Sequence, residues 1–122
     1  MTKWIFRLAG IYGLLVLTPL YFLEDRLTPP STHPEQYYGF LGVGIAWQLA
    51  YLVIATDPVR YRLLMLPGIV SKVTWAGALV VLFAGGRVAA DAFWLGQIDW
   101  LLAALFLYAF LRTPRQQARL TA

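Results

Sequence analysis

The sequence predicts an all-α membrane protein, a bundle of four transmembrane helices in a single domain. Of its 122 residues, 60% are hydrophobic and only 13% are charged, whereas an average soluble domain has about 25% charged residues. A chain this short cannot bury so much apolar surface in one aqueous core. The apolar residues also fall into four segments, each near the length, about 20 residues, that crosses a hydrocarbon core. Backbone in lipid must satisfy its own hydrogen bonds, which favours helices.

The four predicted spans follow one another closely along the chain. They cover about residues 4–23, 37–56, 60–84 and 90–111. The first has a basic start like that of a signal peptide, but no small-residue cleavage site follows it, so we expect an uncleaved span. The connectors are short and contain no long linker or repeat, so residues 1–122 form one integral membrane domain.

Two connectors carry signals for the ends of the third helix. Asp57 and Pro58 have the residue types of an N-cap and a first helical position, so we expect the helix to begin there. Gly85 and Gly86 follow the last apolar residues, and glycine is the usual residue just beyond a helix C-terminus. The sequence therefore predicts that the third helix stops at this glycine pair before the fourth begins.

The basic residues predict the orientation in the membrane. Seven of them flank the N-terminus, the second connector and the tail, namely Lys3, Arg7, Arg60, Arg62, Arg112, Arg115 and Arg119. The first and third connectors hold only Arg26 and Arg87. Because loops rich in Lys and Arg remain in the cytoplasm, we expect both termini on that side. The compact, span-only design favours a bacterial cytoplasmic (inner) membrane.

Composition excludes several classes of function. The net charge of +4 is spread over connectors and ends instead of one face, so no nucleic-acid partner is expected. The chain has no cysteine, which excludes disulfides and thiolate sites. The single histidine, His33, lies in a polar connector. We predict no metal site, no catalytic residue and no bound cofactor.

Four polar residues are expected to form a layer at mid-membrane. With a rise of 1.5 Å per residue, Lys72 and Asp99 each lie roughly 13 Å from one edge of their spans. Gln48 falls at about the same depth, and Tyr12 somewhat nearer the cytoplasm. An unpaired charge there costs about 2.5–3.5 kcal/mol. We therefore predict a Lys72–Asp99 ion pair, with Gln48 and Tyr12 satisfying the remaining donors and acceptors.

Small residues share helix faces with these polar groups, which favours an inward-facing layer. Gly44 precedes Gln48 by four residues, Gly68 and Ala76 lie four residues from Lys72, and the face of Asp99 carries Ala92, Gly96 and Ala103. Trp75 lies on the face of Lys72.

Three functions fit this layer. The first, which the minimal loops favour, is a non-catalytic accessory subunit or interaction module with a structural ion pair, whose partner is another membrane protein or a second copy. The second is a binder or enzyme for an apolar small molecule, such as a lipid, a quinone or a sterol-like compound. Trp47, Trp75 and Phe106 would line its pocket, with Asp99 as acid or base. The third is an oligomeric transporter, proton-coupled or for small solutes.

The segment "YYGFLGVGIAWQLAYLVIATDPVRYRLLMLP", residues 37–67, resembles small uncharacterised bacterial four-helix membrane proteins that are loosely DoxX-like. The resemblance continues through Lys72 and Asp99. Relatives of this kind often carry an acidic residue before the lysine, where this chain has Ser71. That difference leaves Asp99 as the partner of Lys72. The resemblance implies a four-span bundle and supplies no established activity.

Overall fold

A computed structural model describes residues 1–26 and 32–115, and the regular structure in these ranges is helical. The helices are α1 (Thr2–Leu17, extended by a 3₁₀ turn over Thr18–Phe22), α2 (Pro34–Thr56), α3 (Met65–Ala84, preceded by a 3₁₀ turn over Arg62–Leu64), α4 (Ala90–Gly96) and α5 (Ile98–Arg112). A short 3₁₀ turn over Glu24–Arg26 follows α1. Arg119, which contributed to the predicted orientation, lies outside the described residues.

Within the described ranges, four helical stretches are long and apolar enough to cross a membrane. They are Thr2–Phe22, Pro34–Thr56, Arg62–Ala84 and Ala90–Arg112. Each end lies within three residues of the bound expected from the sequence. The prediction of an all-α fold with four apolar helices of spanning length is confirmed.

The helices run up and down as two hairpins. α1 packs along α2, and α3 packs along α4 and α5. The hairpins are joined by contact between α1 and α5, whereas α2 and α3 barely meet. We call the end of the bundle that holds Met1, Asp57 and Arg112 the near end, and the opposite end, which holds Phe22, Pro34 and Gly85, the far end.

The glycine pair ends α3 as predicted. Gly86 has a φ of 69°, a left-handed conformation that glycine adopts at no steric cost. The amide of Arg87 then donates to Leu82 O at 2.8 Å, and the amide of Gly86 donates to Phe83 O at 3.0 Å. These two bonds form a Schellman motif, which satisfies the last carbonyl groups of the helix.

The expected start of α3 at Asp57 and Pro58 is wrong. Asp57 does accept a bond from the Arg60 amide, at 3.3 Å, but it closes a single turn. Tyr61 then has φ −101° and ψ 19°, outside the α-helical region, so the helix cannot propagate through it. The α-helix begins only at Met65, and Arg60 and Arg62 are left on short turns at the near end.

The fourth span is tightened at Gln97, which the sequence did not predict. Trp100 N donates to Gln97 O at 3.1 Å, an i to i+3 bond typical of a 3₁₀ turn. The Trp100 indole also donates to Gln97 Oε1 at 2.8 Å. The tightening separates α4 from α5 and places Asp99 in the first turn of α5.

The near half of the bundle is closed by an aromatic core of Phe6, Tyr51 and Phe106, all 0% exposed. The ring of Phe6 stacks on Phe106 with centroids 4.5 Å apart, and Tyr51 meets Phe106 edge-on at 4.9 Å. Other fully buried side chains around these rings are Ile54, Met65 and Ala109. The core ties α1, α2, α3 and α5 together.

Candidate functional site

The structure brings Lys72 and Asp99 together in the middle of the bundle. Lys72 Nζ lies 3.5 Å from Asp99 Oδ1, and the two side chains are 11% and 17% exposed. The ammonium group also lies 5.5 Å from the centroid of the Tyr51 ring, within the range of a cation–π contact. The lysine of α3 and the carboxylate of α5 therefore face each other beside the aromatic core, on its far-end side.

Close helix approach sets this geometry. A Cβ on Gly96 would overlap with the Leu79 side chain, and a Cβ on Gly13 would overlap with the amide group of Gln48. Small residues at these two points let α4 approach α3 and let α1 approach α2. Gly96 belongs to the small-residue face that was predicted for Asp99.

Gln48 and Tyr12 do not complete the ion pair as predicted. Gln48 is buried, but its Nε2 donates to Gly44 O of its own helix at 2.9 Å. Its Oε1 has no hydrogen-bond partner among the described residues. The Tyr12 side chain lines the same interior, and no hydrogen bond joins it to the pair within the described part of the chain. Helical depth was enough to place these groups near the pair, but the amide group of Gln48 bonds to its own helix instead of to the pair.

A cleft of about 470 Å³ opens between α2 and α3, with the Lys72–Asp99 pair at its floor. We call it the α2–α3 cleft. Its lining from α1 and α2 is Leu17, Gly39, Phe40, Val43, Gly44, Trp47, Gln48 and Tyr51, and its lining from α3 and α5 is Ser71, Lys72, Trp75 and Asp99. The walls are aromatic and aliphatic, and the polar atoms lie at the floor.

Two contacts mark the limits of the cleft along the helices. Toward the near end, the hydroxyl groups of Tyr51 and Ser71 lie 3.1 Å apart, and Gly68 allows the Tyr51 ring to approach α3. Toward the far end, the rings of Phe40 and Trp75 stack with centroids 5.0 Å apart. Both rings are partly exposed, at 44% and 40%. The cleft therefore opens sideways, between the helices.

A second, smaller cavity of about 190 Å³ adjoins the pair from the side of α1 and α4. We call it the inner cavity. Tyr12, Gly13, Ala92 and Gly96 belong to its lining, and it shares Leu17, Phe40, Gln48, Lys72, Trp75 and Asp99 with the α2–α3 cleft. The charged pair thus has open space on two sides.

The aromatic residues expected around the pair divide between two places. Trp47 and Trp75 line the α2–α3 cleft. Phe106 does not, because it is fully buried in the aromatic core. The sequence reasoning missed Tyr51 and Phe40, which bound the cleft at its two ends. Tyr51 could have been found, because it lies three residues after Gln48 and so shares its helix face.

The arrangement has unused hydrogen-bonding capacity. A lysine has three donors, and the contact to Asp99 Oδ1, at 3.5 Å, is long for a charge-assisted bond. Gln48 Oε1 adds a buried acceptor without a partner among the described residues. Such groups are costly in a low-dielectric interior. In the described ranges, no three His, Asp or Glu side chains converge as metal ligands would.

Comparison with protein-family models, with curated proteins and with solved structures finds no match for this chain. The resemblance to DoxX-like proteins therefore stays a prediction. The fold and the site define a class of protein. It is a small helical protein with four apolar helices of membrane-spanning length and a charged pair that lines a cleft open between two helices.

Proposed function

We propose that this is an integral membrane protein that binds an apolar small molecule carrying one neutral polar group in the α2–α3 cleft. The observation that supports this best is the position of the Lys72–Asp99 pair, which forms the floor of a cleft of about 470 Å³. Ligand pockets in proteins have volumes of about 300–1,000 Å³, mostly apolar walls and a few convergent polar groups.

The membrane part of the proposal rests on the four apolar helices and on charge. In the described residues, Lys3, Arg7, Arg60, Arg62, Arg112 and Arg115 lie at the near end, whereas Arg26 and Arg87 lie at the far end. This asymmetry supports a cytoplasmic near end. We propose a bacterial cytoplasmic membrane, which the span-only design and the resemblance to DoxX-like proteins favour.

The charges of the site select the ligand. The ammonium of Lys72 and the carboxylate of Asp99 offset each other, so a charged head group would add an uncompensated charge in a low-dielectric interior. A hydroxyl or carbonyl group adds none, and it can accept from Lys72 or, in the case of a hydroxyl, donate to Gln48 Oε1. The aromatic walls of Trp47 and Trp75 suit a ring system, such as that of a quinone or a sterol-like compound.

Binding is better supported than the two other functions. An accessory subunit with a structural ion pair needs no space beside the pair, yet open volume adjoins it on two sides. Transport through a single copy would require a route past Phe6, Tyr51 and Phe106, whose rings are in mutual contact and fully buried. A transporter would therefore need a pathway between copies.

The test fills the cleft without touching the charged pair. Gly39 lines the cleft and has no atom within 4 Å of the position of a Cβ, so Gly39→Leu places a side chain in the open space. Ala46→Leu, at an exposed position on the same helix outside the cleft, is the matched control. Each protein is purified from native membranes in mild detergent, and co-purifying small molecules are measured by mass spectrometry.

We expect a neutral apolar compound near one equivalent with the natural protein and with Ala46→Leu, and its loss with Gly39→Leu. If no compound is retained, or if both leucine variants retain it equally, ligand binding in this cleft is ruled out. A stoichiometric membrane protein in its place would favour the accessory-subunit hypothesis.

A further inference from the structure

A further cavity, separate from the α2–α3 cleft and from the inner cavity, lies at the near end of the bundle. It has a volume of about 400 Å³ and is lined by Val59, Arg60, Arg62, Leu63, Phe110 and Arg115. We call it the arginine cavity. Three arginines thus line it, two from the turns before α3 and one from the residues after α5.

Arg62 is fixed in place at this cavity. Its Nε donates to Thr113 O at 2.7 Å and to Phe110 O at 3.2 Å, which satisfies carbonyl groups at the C-terminus of α5. Its guanidinium carbon lies 3.7 Å from the centroid of the Phe110 ring. An arginine has five N–H donors. These bonds use the one on Nε, and no hydrogen bond to another described residue uses the four on its terminal nitrogens.

Among the described residues, the lining of the arginine cavity includes no acidic side chain. Arg60 and Arg115 are exposed, and Arg60 stacks near the Tyr61 ring at 5.4 Å. Among the described residues, Asp57 is the acidic side chain of the near end, and its Oδ1 accepts from the Arg60 backbone amide. The other described carboxylates are at the far end or in the central layer: Glu24, Asp25, Glu35, Asp91 and Asp99. The cavity therefore has an excess of positive charge.

We infer that the arginine cavity is a binding site for the phosphate group of an anionic phospholipid. Guanidinium groups match the geometry of phosphate with paired hydrogen bonds. Basic pockets between helices on the cytoplasmic side of a membrane recognise anionic head groups. The cavity also has apolar lining in Val59, Leu63 and Phe110, and Leu63 is 71% exposed, so an acyl chain has a surface to follow.

The same chemistry could serve a soluble phosphate compound, and the apolar lining is what favours the lipid. A free phosphate ion would make use of the three arginines alone. A lipid would make use of the arginines and of Leu63, which continues from the cavity onto the exposed face of the third span. The two sources therefore differ in whether inorganic phosphate alone can compete.

The test compares two arginines that carry the same charge at the same end. The purified full-length chain is titrated in mixed micelles with phosphatidylglycerol or with phosphatidylcholine, and bound lipid is counted by native mass spectrometry. Arg115→Gln removes a cavity arginine, and Arg60→Gln is added to it in a double variant. Arg112→Gln is the matched control, because Arg112 is exposed, lies outside the cavity and stacks near Tyr108 at 5.5 Å.

We expect phosphatidylglycerol to bind in preference to phosphatidylcholine, and Arg115→Gln to weaken it about fivefold, since one basic residue near an anionic surface contributes about 1 kcal/mol. The double variant should lose more, and Arg112→Gln should change the affinity by less than about twofold. Equal losses in Arg115→Gln and Arg112→Gln would reduce the effect to general surface charge and overturn the site.

Inorganic phosphate at constant ionic strength distinguishes the two sources. If it leaves phosphatidylglycerol bound, the lipid assignment is supported. If it displaces the lipid from the natural protein and no longer binds the double variant, the cavity is a site for soluble phosphate and the lipid assignment is wrong. Both readouts are independent of the α2–α3 cleft, because no described residue lines both cavities.

Discussion

The two halves of the bundle interior are built from similar apolar helices and yet pack in opposite ways. In the near half, Phe6, Tyr51 and Phe106 are fully buried and fill the space between four helices. In the far half, α2 and α3 leave a cleft between them, which Lys72 and Asp99 also line. The packed near half stabilises the fold, and the far half contains open volume.

One glycine from each half illustrates the difference. Gly68 in the near half faces the Tyr51 ring, which comes within 3.1 Å of where a Cβ would be, so the missing side chain is replaced by an aromatic one. Gly39 in the far half faces no atom within 4 Å. A small residue therefore allows close packing only where a large neighbour fills the space it leaves, and otherwise it contributes to a cavity.

The largest effect that we predict comes from removing one aromatic ring from each half and comparing the two losses of stability. Phe106→Ala should lower the free energy of unfolding by about 3–5 kcal/mol, because a fully buried ring leaves a cavity that its neighbours cannot fill. Trp75→Ala should cost less than about 1 kcal/mol, since its ring is 40% exposed and lipid or detergent can replace its contacts. Unfolding by sodium dodecyl sulfate in mixed micelles measures both values.

The helix content of each purified variant, measured by circular dichroism, is the control that it is folded before the unfolding titration begins. Similar costs for the two variants would mean that the far half is as tightly packed as the near half, and the distinction between them would then be wrong.

A smaller effect is expected from the charged pair at the boundary between the halves. Lys72→Met or Asp99→Leu alone should cost about 2–3 kcal/mol, because each leaves an uncompensated charge in the interior. The double variant should lie within about 1 kcal/mol of the natural protein, since charge and partner are removed together. The same mixed-micelle titration gives all three values as a double-mutant cycle.

Additive costs in this cycle would show that the two groups do not interact, even though Lys72 Nζ and Asp99 Oδ1 lie 3.5 Å apart. The compound retained by the double variant provides a second readout, because a site that binds through the pair should lose its ligand while the fold is kept.

The features that could be predicted from the sequence depend on one helix at a time. Length and apolar composition predicted the four helical stretches of spanning length to within three residues at each end, although α3 itself begins only at Met65. Helical rise placed Lys72 and Asp99 at one depth, and the structure places them side by side. The glycine pair at Gly85 and Gly86 ended α3 because a left-handed residue is needed there.

The features that could not be predicted depend on pairs of helices or on rotamers. The distance between α2 and α3 depends on all the side chains between them. Neither the cleft nor the burial of Phe106 in the aromatic core can therefore be predicted from one segment of the sequence. The hydrogen bond from Gln48 to Gly44 depends on the side-chain conformation of Gln48, which the helical periodicity of the sequence does not reveal. Asp57 has the residue type of a helix cap, but the conformation of Tyr61 stops the helix that it would begin.

The smallest effect that we predict tests whether space near the pair can absorb a new methyl group. Two glycines of α1 face Gln48 at different atoms. A Cβ on Gly10 would come within 2.8 Å of the Gln48 backbone oxygen, so Gly10→Ala must push two helices apart, at a net cost of about 1–2 kcal/mol. The three atoms nearest to a Cβ on Gly13 would all belong to the Gln48 side chain, which lines both cavities and can rotate into them.

Gly13→Ala should therefore change the free energy of unfolding by less than about 0.5 kcal/mol, because the gain in helix propensity offsets the new rotamer. It should also weaken ligand retention, since Gln48 then occupies the volume that the ligand needs. The two alanine variants act as controls for each other, because they add the same methyl group to the same helix one turn apart. If Gly13→Ala is the costlier of the two, then Gln48 has no free space to enter, and the open volume beside the Lys72–Asp99 pair is smaller than the cleft and the inner cavity require.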